Sequence, residues 1–404
     1  MTAEQHAVVE LGRPGGASSG TIRRARRDRF AGEARVFVRT VVEVLPAWLV
    51  ARAVVLASLG FAHATVATVR PHNPGAAARV HQGLLAWDAG WYVSIARHGY
   101  VSSGVQSVRF FPVYPFVARV LGWVPGMGVG PALVLLANLC ALAAMAALVV
   151  LVRSDLGDAA LARRSVWLLA LAPAAYSLVL GYADAALLLC EIVTLLAARK
   201  SRWWWAAATG LLAGGLRPLG LLLVVPVVIE VWRTRRHRRS GMRWIATGAA
   251  VLAPLAGAGA YLGWVGAQFG DPWLPLRVQQ QGGHRGPLAA PFAAMWHNAT
   301  SVLHGHHLGS ALHIPWVALC VVLLVVAFAR LPVSYGAFAA AVLAVSLTSS
   351  NLDSFERYAL GAFPLVIAAS TLTARRSVEM VVLIGSAVAM AGYAYLAFVG
   401  IVVP

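Results

Sequence analysis

Long apolar runs separated by short basic loops dominate the pattern of this chain. Several of them approach the roughly twenty residues that a helix needs to cross a bilayer. The runs cover residues 45–69, 131–152, 165–181, 184–198, 203–216, 218–232, 244–266, 312–330, 332–349, 358–373 and 377–401. Two pairs of short runs, 165–181 with 184–198 and 203–216 with 218–232, fit tight hairpins or broken helices. The pattern predicts an all-α polytopic membrane protein with about eleven transmembrane helices.

Composition agrees with a membrane protein. The 404 residues are 59% hydrophobic and 12% charged, whereas soluble domains carry about 25% charged residues. The net charge of +18 could indicate nucleic-acid binding, but the basic residues lie in loops on alternate sides of the apolar runs. We therefore expect membrane lipids and no nucleic acid as partners. Cys140, Cys190 and Cys320 lie inside apolar runs, so we expect them to be core residues that form neither disulfides nor a metal site.

The loop charges predict the orientation. Most of the 33 Lys and Arg residues fall on one side, which the positive-inside rule places in the cytoplasm. Residues 1–44 are then a disordered basic cytoplasmic tail, and residues 45–404 form the transmembrane domain of a multi-pass cell-membrane protein. Two long extracytoplasmic loops, 70–130 and 267–311, follow from this arrangement. Lys200 is the only lysine, and this bias toward Arg suggests a high-GC bacterial genome.

Few acidic residues fall on the predicted outer side. Polar residues near a membrane are costly, and they are usually paired or functional. The outer acids are Asp88, Asp184, Asp271, Asp353 and Glu356. Each has an arginine nearby in sequence or on a neighbouring outer loop, so we expect one polar site at the extracytoplasmic surface.

The first long loop contains the strongest candidate, Asp88, in the segment WDAGWYVSIARHGY. Trp87, Trp91 and Tyr92 surround this carboxylate, which could accept a proton from a hydroxyl group. The alternative is a helix-capping aspartate within an interfacial aromatic belt. Downstream, RFFPVYP contains Arg109, either a forked phosphate ligand or a side chain that reaches lipid headgroups.

Two short turns add further candidates. Arg217 lies in GGLRPLG, where glycines and a proline interrupt the helix and expose backbone donors; it is an anion ligand or an interfacial arginine. Asp184, in LGYADAA, either pairs with Arg217 or caps a helix.

The stretch FERY contains Glu356, Arg357 and Tyr358. Arg357 could bind a phosphate with Glu356 orienting it, or the two could form an exposed salt bridge of little energetic value.

The second long loop contains Gln279, His284 and Arg285, which could bind sugar hydroxyls or a phosphate. Further histidines follow at His297, His304, His306, His307 and His313. No Cys, Asp or Glu accompanies them at ligand spacing, so we expect a solvated loop and no metal site.

These motifs resemble the PIG-V family of mannosyltransferases. WDAGWYVSIARHGY followed by RFFPVYP resembles the WDxxWY…GY…FFPxYP run of the family's first outer loop. GGLRPLG and FERYALGAFP are similar to its later Arg-Pro turn and RY…FP stretch, and the order from Trp87 to Pro364 is the same. The resemblance implies a GT-C type fold with a long first extracytoplasmic loop, and a polyprenyl-phosphate sugar as donor.

The resemblance also implies roles. Asp88 would act as the catalytic carboxylate in an inverting transfer of mannose to a lipid-linked or glycan acceptor. Arg217 and Arg357, with Arg109 or His284, would stabilise the departing phosphate. Trp87, Trp91, Tyr92 and Tyr114 would form an aromatic wall. No cofactor is expected, and the arginines make a divalent metal unnecessary. A polytopic lipid or sugar transporter or flippase is the alternative; it should have polar residues near the bilayer midplane, where Glu191 stands almost alone.

Overall fold

The computed structural model is built from helices. It describes residues 19–234, 241–281, 284–293, 295–296, 300 and 313–403. Within these ranges there is no β-strand, and one isolated bridge joins Leu288 to Ser349. The predicted all-α class is confirmed.

Sixteen α-helices in these ranges organise the molecule, and four short 3₁₀ segments lie between some of them. In chain order the α-helices are α1 (Ser19–Val69), α2 (Pro74–Gln82), α3 (Asp88–Ser103), α4 (Val113–Leu121), α5 (Val129–Leu156), α6 (Ala159–Leu171), α7 (Asp184–Arg199), α8 (Trp203–Leu216), α9 (Val224–Thr234), α10 (Gly241–Phe269), α11 (Leu274–Gln279), α12 (His313–Arg330), α13 (Val333–Leu347), α14 (Phe355–Gly361), α15 (Pro364–Leu372) and α16 (Arg376–Phe398). The 3₁₀ segments are Gly83–Leu85, Val105–Arg109, Pro173–Leu178 and Pro218–Leu223.

Within the described part of the chain, five helical segments are long and apolar enough to cross a bilayer. They are Val38–Val69, Val129–Leu156, Met242–Phe269, His313–Arg330 and Arg376–Phe398. The chain is therefore a multi-pass membrane protein, as predicted. Several shorter predicted runs are broken helices: 165–181 divides into α6 and the 3₁₀ segment Pro173–Leu178, and 218–232 divides into Pro218–Leu223 and α9.

The N-terminal region differs from the predicted disordered tail of residues 1–44. Helix α1 begins at Ser19 and continues without interruption to Val69. Residues 1–18 lie outside the described part of the chain.

Close contact between α8 and α10 positions the turn that contains Arg217. A Cβ atom added at Gly214 would lie 2.1 Å from the Pro254 carbonyl oxygen, and one at Gly257 would lie 2.1 Å from the Leu211 carbonyl oxygen. Only glycine permits backbones to approach this closely, which is a common way to pack membrane helices. The tight crossing holds the end of α8, where the chain turns at Arg217 into Pro218–Leu223.

Helix α7 separates two groups of charged residues. Asp184 lies in its first turn and Arg199 in its last, about 22 Å apart at the helical rise per residue. At the Arg199 end, this guanidinium lies 2.6 Å from Asp155 and 3.2 Å from Glu230. The residues predicted as cytoplasmic and those predicted as extracytoplasmic thus gather at opposite ends of α7. The orientation of the chain in the membrane stays a prediction.

Candidate active site

A cavity of about 150 Å³ opens at the Asp184 end of α7. Its wall combines residues from the first long loop, the second long loop, the turn after α8 and the start of α14. The lining residues are Asp88, Tyr92, Arg109, Phe110, Phe111, Arg217, Gln279, His284, Arg285, Asp353, Ser354, Arg357, Tyr358 and Val403. Eight of the twelve site residues predicted from the sequence therefore line one cavity.

Asp88 begins α3, and an unusual backbone conformation directs the chain there. Trp87, the residue before it, has φ +58°, a left-handed value that is uncommon for a bulky side chain. Two contacts hold Trp87: its indole N–H donates to the Ala397 carbonyl at 2.9 Å, and the Arg79 guanidinium lies 4.8 Å from its ring. The capping alternative does not hold for Asp88, because α3 begins without a side-chain cap bond and Trp87 stands at the N-cap. Asp88 Oδ2 instead accepts a hydrogen bond from Arg357 Nη2 at 2.7 Å.

Four residues of alternating charge form a series of ion pairs beside the cavity, in the order Arg217, Asp184, Arg357 and Asp88. Asp184 accepts a short hydrogen bond from Arg217, and its Oδ1 atom lies 3.5 Å from Arg357 Nε. Asp184 therefore pairs with Arg217, as one of the two sequence interpretations had it, and no side-chain cap bond forms at the start of α7. These contacts neutralise Arg217 and Arg357 with carboxylates before any ligand binds.

Arg109 and Arg285 contribute positive charge to the cavity, and neither forms an ion pair with a carboxylate of the described residues. Arg109 donates to the Gln106 carbonyl at 3.2 Å and to His284 Nδ1 at 3.1 Å. Arg285 donates to the Ser346 carbonyl at 2.5 Å and stacks 4.6 Å from the Tyr358 ring centre. Its Nε–H is buried and has no hydrogen-bond partner in the described ranges, although buried donors are nearly always satisfied. The cavity is thus suited to an anion that accepts hydrogen bonds.

Opposing influences act on the Asp88 carboxyl. Burial would raise its pKa, but the charges of Arg357 and Arg217 and the Arg357 hydrogen bond outweigh burial and lower it below the ordinary value. Asp88 is therefore ionised at neutral pH, and its Oδ1 atom accepts no hydrogen bond from the described residues. Burial raises the pKa of Tyr92, so its hydroxyl stays protonated and can donate.

The chain matches the family model described as Mannosyltransferase (PIG-V) over residues 36–237. This range is half of the 404 residues. The chain belongs to the PIG-V mannosyltransferase family. A comparison with curated proteins gave no match.

PIG-V membership makes this protein a glycosyltransferase and argues against the transporter alternative. The matched range includes Asp88, Asp184 and Arg217 but ends before Arg285 and Arg357. The fold therefore brings part of the second half of this PIG-V protein to the same cavity.

Some predicted site residues lie away from this cavity. Trp87 is held by Arg79 and Ala397, Trp91 stacks on Phe110 at 6.0 Å, and the buried Tyr114 donates to the Leu133 carbonyl at 2.7 Å. Of the four residues predicted to form an aromatic wall, Tyr92 lines the cavity. Trp87, Trp91 and Tyr114 lie outside its lining.

Glu356 corrects a second prediction. It neither orients Arg357 nor forms an exposed salt bridge with it. Instead its carboxylate accepts a hydrogen bond from His313 Nδ1 at 2.7 Å, and both side chains are buried. The expectation of a solvated histidine loop is therefore wrong for His313, which anchors α14 to α12. His304, His306 and His307 lie outside the described residues, as does His297.

The cavity also contains residues that sequence reasoning did not select. Phe110 and Phe111 were part of a recognised motif, but only its arginine and tyrosine were assigned. Asp353 was noted as an outer acid without a role, and Ser354 and Val403 had no signal at all. Val403 follows the end of α16, a position that no local pattern connects to the first long loop.

Proposed function

We propose that this cavity transfers a mannosyl residue from a polyprenyl-phosphate donor to a hydroxyl group of a lipid-linked or glycan acceptor. One observation supports this most: an ionised aspartate with a free oxygen and two arginines without carboxylate partners line the same cavity. Group transfer from a phosphodiester needs both a proton acceptor and stabilisation of a departing anion. The PIG-V match supports mannose as the sugar.

The arginines are assigned to the phosphate of the donor. A sugar phosphodiester has one negative charge, and the polyprenyl phosphate that leaves has two. Arg109 and Arg285 would bind the phosphate oxygens first, because neither is engaged by a carboxylate of the described residues. As negative charge accumulates on the leaving phosphate, Arg217 and Arg357 would donate their remaining N–H groups to it. Fixed positive charge accelerates transfer at this stage.

Asp88 is assigned as the general base. The acceptor O–H bond breaks, and its proton moves to Asp88 Oδ1. The acceptor oxygen forms a bond with the anomeric carbon, while the bond from that carbon to the phosphate oxygen breaks and its electron pair leaves with the phosphate. Attack from the face opposite the leaving group inverts the anomeric configuration. A phosphate that draws Arg357 toward itself would weaken the Asp88–Arg357 pair and make Asp88 a stronger base.

The reaction is placed at the extracytoplasmic face of the cell membrane. The cavity residues all belong to segments that the positive-inside rule assigns to that side. A lipid-borne donor can reach such a site from within the bilayer. The charges needed are on the protein, so neither a cofactor nor a divalent metal is part of the proposal.

The decisive experiment measures mannose transfer in membranes from radiolabelled polyprenyl-phosphate mannose. Asp88→Asn keeps the shape of the side chain and removes the base, so we expect at least a roughly hundredfold loss of rate. Asp271→Asn is the matched control, because Asp271 pairs with Arg277 at 3.1 Å and does not line the cavity. Full activity of Asp88→Asn would remove Asp88 from this role, and transfer from a nucleotide sugar by purified, lipid-free protein would overturn the donor.

A further inference from the structure

A directional series of hydrogen bonds joins the two long loops at the edge of the cavity. Arg109 Nη1 lies 3.1 Å from His284 Nδ1, and His284 Nε2 lies 2.7 Å from Gln106 Oε1. The series continues from Gln106 Nε2 to Gln281 Oε1 at 3.0 Å. Arg109 and Gln106 belong to the 3₁₀ segment of the first loop, whereas His284 and Gln281 belong to the second.

The partners determine the protonation of the His284 ring. A guanidinium can only donate, so Nδ1 must present its lone pair to Arg109. The proton of the neutral ring is then on Nε2, which donates to Gln106 Oε1 and leaves the Gln106 amide group to donate to Gln281. A doubly protonated ring would direct an N–H at the Arg109 N–H, and this contact could not persist. The geometry is that of a neutral imidazole with its proton on Nε2.

This arrangement holds an arginine without neutralising it. Arg217 and Arg357 are oriented by carboxylates, which also cancel part of their charge. Arg109 has a neutral acceptor in the same position. It also donates to the Gln106 carbonyl at 3.2 Å, and its guanidinium carbon lies 5.1 Å from the Phe110 ring centre. No carboxylate of the described residues forms an ion pair with Arg109, and its donors stay available to an anion in the cavity.

We propose that His284 is a positioning residue: its neutral ring holds the Arg109 guanidinium at the phosphate-binding part of the cavity, and protonation of the ring releases Arg109. The proposal rests on the proposed function and adds a control of donor binding by pH. His284 touches the donor only through Arg109 in this scheme.

The surroundings of His284 keep it neutral over most of the physiological range. Burial lowers its pKa below the ordinary imidazole value of 6.5, the adjacent Arg109 charge lowers it further, and the charge of Asp88 acts in the opposite direction. Of the described residues, Arg109 and Asp88 are the charged groups that act on the ring, and Gln106 is its uncharged partner. Proton uptake, and with it the loss of Arg109 from its position, is expected only on the acid side of 6.5.

The first test compares the KM for polyprenyl-phosphate mannose between about pH 5 and pH 8, the range in which histidines titrate. In the wild type, KM should rise toward acid pH while kcat changes less. In His284→Asn, the amide oxygen can accept from Arg109 and does not titrate, so KM should stay low and independent of pH. In His284→Ala, KM should rise by about tenfold at every pH, the usual scale for losing a hydrogen bond to a charged group.

The second test measures binding of polyprenyl phosphate to the purified protein and requires no turnover. His98→Asn is the control, because His98 is exposed on α3 and does not line the cavity. The proposal is supported if acid pH weakens binding to the wild type and to His98→Asn but does not weaken binding to His284→Asn. This result would support it even if the protein transferred no mannose; the absence of transfer would refute the proposed function alone. Unchanged affinity in His284→Ala, or equal acid sensitivity in His284→Asn, would overturn it.

Discussion

Arg357 Nη2 lies 2.7 Å from Asp88 Oδ2, although 269 positions separate the two residues in the chain. The Arg357 side chain is 4% exposed and that of Asp88 27% exposed, so the cation is enclosed while the carboxylate reaches the cavity. In the proposed reaction Arg357 can therefore serve two groups: it hydrogen-bonds the base Asp88, and it can turn to the phosphate when the donor binds.

Removing the charge of Arg357 should move the acid limb of the pH profile. Because Arg357 lowers the Asp88 pKa, Arg357→Gln should raise that pKa, and the carboxylate would then be lost at higher pH than in the wild type. We expect kcat/KM to fall at neutral pH and its acid limb to shift upward. The measurement is kcat/KM for mannose transfer against pH, with Arg277→Gln as the control outside the cavity. An unchanged acid limb would show that Asp88 does not govern it.

Short motifs at helix ends made the candidate site partly predictable. In an apolar chain, Arg217 between two apolar runs and Asp88 between two tryptophans stand out, because burying a charged residue in the membrane is costly. The all-α class followed from the same runs. What the sequence could not show is which distant partners meet, since nothing local to Asp88 points to Arg357.

Other outcomes depended on three-dimensional packing. Glu356 and Arg357 are neighbours in sequence, yet the helix directs Glu356 to His313 and Arg357 to Asp88. Tyr114 is in a recognised motif but is buried against Leu133 behind the cavity. Periodicity assigns such residues to a helix, and only the packing of the other helices decides which side of it faces the site.

Loss of Asp184 should destabilise the protein. Asp184 is the carboxylate nearest to Arg217 and also contacts Arg357, and both guanidinium groups are largely buried. Asp184→Asn leaves them without this counter-charge, which typically costs about 3–5 kcal/mol for a buried pair. Asp271→Asn, in a more exposed pair, should cost at most about 1 kcal/mol. Thermal unfolding in detergent compares them, and equal melting temperatures for the two variants would contradict this account.

Chelation of divalent metals should leave activity intact. In the proposed reaction Arg109, Arg217, Arg285 and Arg357 supply the positive charge that stabilises the leaving phosphate. Membranes washed with EDTA should therefore transfer mannose at the rate of untreated membranes. Loss of activity that returns on addition of a single divalent ion would show that the arginines are not sufficient.

The close contact of α8 and α10 predicts a strong effect of one methyl group. Gly214→Ala would place its Cβ 2.1 Å from the Pro254 carbonyl oxygen, so the helices must separate and the turn at Arg217 must move. Overpacking of this kind typically costs about 1–3 kcal/mol, and transfer activity should fall with stability. Gly263→Ala, on α10 with no heavy atom within 4 Å of the added Cβ, should be tolerated. Melting temperature and activity of both variants test this, and a tolerated Gly214→Ala would contradict the packing.

The buried carboxyl of Glu191 offers a test in which a substitution should stabilise the protein. Glu191 is 0% exposed, and neither of its oxygens has a hydrogen-bond partner among the residues that the structure describes. It lies in α7 beside a second small cavity, which it lines together with Asp184, Arg217 and Arg357. A buried polar group without a hydrogen bond costs about 1–3 kcal/mol by comparison with mutational data.

Glu191→Met replaces that group by an apolar side chain of similar length, which can adapt to an irregular space. We expect the melting temperature to rise or stay level, in contrast to the loss in Asp184→Asn on the same helix. Glu191→Gln is the matched control, because it keeps a polar group that still lacks a partner and should gain nothing. A lower melting temperature for Glu191→Met than for Glu191→Gln would mean that the carboxyl group makes a stabilising interaction in the membrane-embedded protein.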